Sequence, residues 1–74
     1  DPSVMPGTLA LSPGGLDWFQ MRKLIHGLVG KGRVVGMDIV EIAPINDVNQ
    51  LTCIAAGRMI VNLIGAAARA GYFD

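Results

Sequence analysis

Apolar and polar positions divide the chain into two helical periods on either side of one run that is apolar on both parities. Phe19, Leu24, Ile25 and Leu28 recur near one side of a 3.6-residue period, while Gln20, Arg22, Lys23 and Gly27 fall mostly on the others. That spacing predicts an amphipathic helix over residues 17–30, of the kind that covers a sheet. Asp17 and Gln20 are a cap and its partner, Leu16 and Met21 a hydrophobic staple, and Trp18 opens the first turn. Gly30 and Gly32 end the helix, with Lys31 placed near the negative end of its dipole. From 33 to 43, Val34, Val35, Met37, Ile39, Val40 and Ile42 occupy both faces of the run, which predicts a strand buried on two sides in a parallel sheet. Pro44 stops it. Asp47 and Gln50 repeat the cap spacing before a second helix over 48–70, where Leu51, Ile54, Ala55, Met59, Ile60, Leu63, Ile64 and Ala67 cover most of the circumference. Gly71 is its C-terminal cap, and residues 1–16, with Pro2, Pro6, Pro13, Gly7, Gly14 and Gly15, predict an irregular ordered loop.

One strand between two helices is not a complete fold. Its backbone donors and acceptors would cost about 1–3 kcal/mol each if buried unpaired. The pattern therefore predicts a helix-strand-helix piece of a larger α/β protein, or a segment that completes its sheet through another chain. Composition sharpens this expectation. The 74 residues are 51% hydrophobic and 16% charged, with mean hydropathy +0.47, a balance that suits an element enclosed by other structure. A chain of this length buries only about 60% of its unfolded surface by itself. Zero formal charge gives no footprint for nucleic acid or an anionic membrane. The second helix is long enough to span a bilayer, but Asn49, Gln50, Arg58 and Asn62 within it favour a protein neighbour. Cys53, the single cysteine, reads as a reduced, buried small hydrophobe in an intracellular compartment. Residues 1–6 contain neither a signal peptide nor an initiator methionine, as expected for part of something longer.

Candidate chemistry concentrates at Glu41, at the carboxyl end of the predicted strand, where open α/β sheets place ligands. Two readings stand: a solvated or arginine-paired strand end, or a carboxylate aimed at a cationic ligand such as a guanidinium, which two carboxylate oxygens hold through parallel hydrogen bonds. Asp38, three residues earlier, falls on the opposite face and reads as structural, accepting from backbone or hydroxyl donors. His26 has no metal-ligand spacing around it and reads as an ordinary helix-surface histidine. Gly27-Leu28-Val29-Gly30-Lys31-Gly32 lacks the Walker spacing and reads as helix termination. Trp18 and Phe19 diverge by about 100° on a helix, so Phe19 is expected in the core and Trp18 over a loop or a subunit contact. No nucleophile set, metal cluster or redox pair can be assembled, so the chain supplies no catalytic residue and no metal ligand of its own.

Three ordered blocks resemble the ureohydrolase (arginase/agmatinase) family: Asp1-Pro2-Ser3-Val4-Met5-Pro6-Gly7-Thr8, Pro13-Gly14-Gly15-Leu16, and Val35-Gly36-Met37-Asp38-Ile39-Val40-Glu41-Ile42-Ala43-Pro44. The resemblance covers essentially the whole chain and places it at the C-terminal end of a single domain. It implies a three-layer parallel-sheet (arginase-like) fold, with 1–16 as an active-site loop region. It further implies two manganese ions at the strand ends, a metal-activated hydroxide attacking the guanidinium carbon, and urea as leaving product. Glu41 matches the glutamate that contacts the guanidinium. Asp1 matches the third aspartate of Asp-x-Asp-x-x-Asp-Pro, near the metals without ligating them; the metal ligands lie outside this chain, which is expected to be inactive alone. Leu9-Ala10-Leu11 stand where many members continue Gly-Thr-Pro, and Asp17 replaces the usual threonine after Gly-Gly-Leu. The loop is similar to the agmatinase-like branch, which implies agmatine or a guanidino acid as substrate, in a cytoplasmic homo-oligomer with no nucleic-acid or membrane partner. The alternative is a noncatalytic assembly segment or a degenerate family member.

Overall fold

In the computed structural model, which describes residues 1–74, the chain forms α1 (Trp18–Lys31) and α2 (Leu51–Arg69), with one 3-10 turn at Pro44–Asn46 between them. The capping box predicted for α1 is present: the Gln20 N–H donates to Asp17 Oδ1 at 2.8 Å and the Asp17 N–H to Gln20 Oε1 at 3.0 Å. Asp17 itself stays extended, as a cap residue does, so the helix begins one residue later than the 17–30 span. Gly32 caps the other end, its N–H reaching the Leu28 carbonyl at 3.2 Å. The staple residues Leu16 and Met21 share one hollow with Val4, Met5 and Met59, which ties the 1–16 loop to both helices.

α2 starts three residues later than its sequence pattern predicts. Asn49 and Gln50 are both left-handed, with φ of 49° and 61°, and cannot extend a right-handed helix backwards. The expected Asp47–Gln50 box is therefore not formed. Asp47 instead reaches forward past both residues, accepting from the Thr52 N–H at 3.0 Å and the Cys53 N–H at 3.1 Å. The other end is a Schellman cap: Gly71 takes φ 85°, the Tyr72 N–H donates to the Ala67 carbonyl and the Gly71 N–H to the Ala68 carbonyl.

The core lies between the helices, where Ile25 and Val29 of α1 are buried with Ala55, Ala56, Met59, Ala66 and Ala67 of α2. The alanines let the two helix backbones approach closely. Phe19 does not join this core; it is 64% exposed, because only the Ile25–Val29 side of α1 faces α2. Leu24 and Leu28 are exposed as well, and so are Leu51, Ile54, Ile60, Val61 and Ile64 around the rest of α2. Trp18 borders a hollow with Val4, Leu51, Ile54, Ala55 and Arg58, and so lies against both the loop and α2. By length and composition the 19-residue α2 is apolar enough to cross a membrane. One of its polar positions is engaged with α1: Asn62 hydrogen-bonds His26 there, and also donates to the Arg58 carbonyl one turn back.

Residues 33–43 form no strand. A ladder needs a second extended segment alongside, and neither the helices nor the 1–16 loop provides one. The run is held near its two ends instead: the Val34 N–H donates to the Tyr72 hydroxyl at 2.9 Å, and the Ala43 N–H to the Gly7 carbonyl at 2.7 Å. Val35 and Val40 lie exposed between these anchors. Two helices and an unpaired apolar run fit a piece of an α/β fold, and the sheet itself is absent.

Candidate functional site

Gly7 is the point where three segments meet. Its N–H donates to the Thr52 hydroxyl at 2.7 Å, and its carbonyl accepts from the Ala43 N–H. Thr52 is only 2% exposed, so this bond is shielded from water. A side chain at Gly7 would meet Asp47 Cγ and Thr52 Oγ1 at 2.9 Å, so the close approach of loop, connecting run and α2 depends on glycine here. The 1–16 loop and the Glu41 region are thereby fastened to the first turn of α2.

Glu41 stands two residues before the Ala43 anchor, and its backbone is left-handed, with φ 70°. A residue with a Cβ is strained there by roughly 1–2 kcal/mol. Its side chain is exposed and takes no part in the hydrogen bonds that fix the neighbouring backbone. Glu41 is thus a carboxylate with free oxygens on a tethered and strained backbone, just before the 3-10 turn at Pro44–Asn46. Asp38 is exposed and does not bind a neighbouring loop as its position had suggested.

Asp1 and Asp47, by contrast, are engaged. Asp1 accepts from the Ser3 N–H, the Ser3 hydroxyl and the Gly14 N–H at 2.7 to 2.9 Å, closing the 1–16 loop on its Pro13–Gly15 turn. Asp47 accepts from Val48, Thr52 and Cys53 N–H groups. Partial burial pushes the Asp47 pKa up, but the bonds from Thr52, Cys53 and Val48 outweigh that and hold it well below the usual carboxylate range. The Cys53 thiol is pushed up by its hydrogen bond to Asp47, by desolvation and by the Asp47 charge. It is half-buried and stays protonated, a packing residue and not a nucleophile.

Nowhere do three His, Cys, Asp or Glu side chains converge as a metal site. The residues present do not fit a manganese pair. Two further features escaped sequence reasoning. Tyr72, beyond the second helix, places its hydroxyl 3.1 Å from the Gly32 carbonyl while accepting from Val34, under the Arg33 guanidinium 4.7 Å from its ring. The signal was its place just after the capping Gly71, the position that a Schellman cap turns back on the helix. The second is a cationic hollow between α1 and α2, lined by Arg22, Lys23, His26 and Arg69. These residues are dispersed in sequence and meet only when the helices pack.

The Arginase family profile matches residues 1–65. The chain belongs to the arginase family. All three sequence blocks that resemble it fall inside the matched stretch, together with Gly7, Glu41, Asp47 and Thr52, whereas Tyr72 lies beyond it. Among curated relatives, the chain is similar to the agmatinase of Chromobacterium violaceum, 44% identical over 64 residues, which is 86% of this chain and 20% of that protein. The agmatinase of Sodalis glossinidius is 41% identical over 64 residues, again 86% of this chain and 20% of the relative. That of Escherichia coli O1:K1 is 38% identical over 64 residues, 86% of this chain and 21% of the relative. The arginase-family chain thus spans about one fifth of the length of the relatives it matches. No solved structure matches it.

Proposed function

We propose that these residues form the guanidinium-binding end of a longer ureohydrolase that hydrolyses a guanidino compound of the agmatine or guanidino-acid type to an amine and urea, with Glu41 gripping the guanidinium. The observation that carries this reading is the conformation of Glu41, a strained left-handed carboxylate held by the Gly7 anchor with its oxygens free. Strain of this kind collects at ligand-holding positions. Membership in the arginase family and similarity to agmatinases support the substrate class. Two carboxylate oxygens accept two parallel N–H bonds from the planar cation, fixing its plane and leaving the central carbon open to attack from one face. The proposal assigns the manganese ligands to residues outside these 74, which are inactive by themselves. It also assigns the exposed apolar faces of α1, α2 and the 33–43 run to contact with the rest of that domain, where the run up to Val40 becomes a strand that ends at Glu41.

The test is urea release by the intact protein from agmatine and from guanidino acids, compared with its Glu41→Gln variant. Hydrogen bonds to a charged group contribute about 1.5–3 kcal/mol, so the variant should lose roughly 10- to 100-fold in kcat/KM with folding and metal content unchanged. Equal turnover by the variant would remove Glu41 from the site. Absence of urea release by the wild-type protein would favour the noncatalytic assembly reading.

A further inference from the structure

The hollow between α1 and α2 shares no residue with the Gly7–Glu41 region. Arg22, Lys23 and His26 line it from α1 and Arg69 from the last turn of α2, around a volume of about 280 Å³. It gathers three of the chain's six Lys and Arg residues and its single His, although the chain as a whole is formally neutral. No carboxylate lines it. Cations collected without a counter-charge repel one another, and an oxyanion between them removes that cost.

Two side chains are held in place. Arg22 lies with its guanidinium 5.8 Å from the Phe19 ring, and His26 Nε2 is 3.1 Å from Asn62 Oδ1. The Asn62 amide nitrogen donates to the Arg58 carbonyl, so its Oδ1 is the free acceptor and His26 Nε2 is the donor. This fixes the imidazole between the helices. A second hollow of about 200 Å³ continues from the first, sharing His26 and Arg69 and otherwise lined by Val29, Gly30, Ala66 and Ala70. A charged head and a small, less polar body would each find a matching surface.

We infer that the α1–α2 cleft is a binding site for a small phosphate monoester, with the oxyanion held by Arg22, Lys23 and Arg69 beside the His26 ring and the organic body on Val29, Gly30, Ala66 and Ala70. Guanidinium groups bind phosphate oxygens through forked, charge-assisted bonds, which suits two arginines approaching from different helices. The size of the cleft fits a metabolite-sized ligand.

The test is calorimetric titration of the intact protein with inorganic phosphate and, separately, with glycerol 3-phosphate at fixed ionic strength. Saturable binding of both is expected, tighter for the ester, with Arg22→Ala and Arg69→Ala each weakening it at least 10-fold. Lys31→Ala, which removes a cation outside the cleft, should leave it unchanged. Should either arginine variant fail to fold, Lys23→Gln, an exposed substitution, is expected to weaken binding several-fold. No saturable binding of either probe overturns the site. Equal weakening by Lys31→Ala overturns it in favour of diffuse charge attraction. Binding of an oligoglutamate peptide in place of both phosphates overturns it in favour of protein docking.

Discussion

Glu41 and Asp47 are carboxylates six residues apart on the same connection, and they are opposite in every physical respect. Asp47 is half-buried and satisfied by backbone N–H groups of Val48, Thr52 and Cys53, so its charge is spent on starting α2. Glu41 is exposed, takes no such bonds, and stands on left-handed backbone. The first is what a fold requires of an acid: two of its three bonds satisfy N–H groups, those of Thr52 and Cys53, that would otherwise be orphaned at a helix start. The second serves no visible structural need and keeps a strained backbone. A carboxylate's availability to a ligand is thus read from what its oxygens already do, more than from its sequence neighbours.

Gly7 holds these two residues in one frame, and the largest stability effect is expected there. In Gly7→Ala the new Cβ would meet Asp47 Cγ and Thr52 Oγ1 at 2.9 Å. Neither can retreat without breaking a hydrogen bond, so the intact protein should lose about 1–3 kcal/mol, as overpacked sites do. A urea unfolding curve measures this. Because the Gly7 carbonyl also holds Ala43, the variant should lose turnover beyond what its unfolded fraction explains. Normal stability in that variant would show that the junction is loose and that Glu41 is not held by it.

How much of this was legible in the sequence depends on the distance over which each feature is decided. The Asp17–Gln20 box, the Gly32 end of α1 and the Gly71 cap are fixed within one turn and were read correctly. The start of α2 was misplaced because Asp47-x-x-Gln50 satisfies a local rule that the left-handed pair Asn49–Gln50 breaks. Phe19 was assigned to the core from period alone, yet which side of α1 meets α2 is set by the alanines of a helix some forty residues on. The apolar run 33–43 announces burial, but a strand exists only with a partner to pair with, and this chain contains none. Glu41 was singled out by position and by resemblance. Its backbone strain had no sequence signal, since glutamate gives no warning of a positive φ.

Glu41→Gly separates ligand service from folding at that residue. Glycine adopts φ 70° without the Cβ penalty. The substitution should therefore stabilise the intact protein by up to about 1 kcal/mol, the relief being partly offset by the greater freedom of glycine in the unfolded chain. Urea release should fall at least as far as in Glu41→Gln. A gain in stability with loss of activity is the mark of a strained functional residue. Loss of stability would mean that the glutamate side chain contributes to the fold after all, and the contrast with Asp47 would narrow.

The smallest effect belongs to Asp47, and it is hidden at neutral pH. Its pKa is lowered in the folded chain relative to the ordinary 3.8. A depressed carboxylate binds its proton more readily when unfolded, so its contribution is fully present above the ordinary value and is lost as pH falls below it toward the folded one. Stability attributable to Asp47 should be flat from pH 7 to about 5 and decline only below about pH 4. Asp47→Asn should be less stable than wild type at pH 7, because the amide is a weaker acceptor for the Thr52 and Cys53 N–H groups. The gap should begin to narrow below about pH 4, where the unfolded wild type takes up a proton at Asp47 that the folded chain does not. Unfolding midpoints of both proteins from pH 7 to pH 3 measure it. A gap that does not narrow at all between about pH 5 and pH 3 would place the stabilisation in the shape of the side chain and not in its charge. Asp47 and Glu41 would then differ in packing alone.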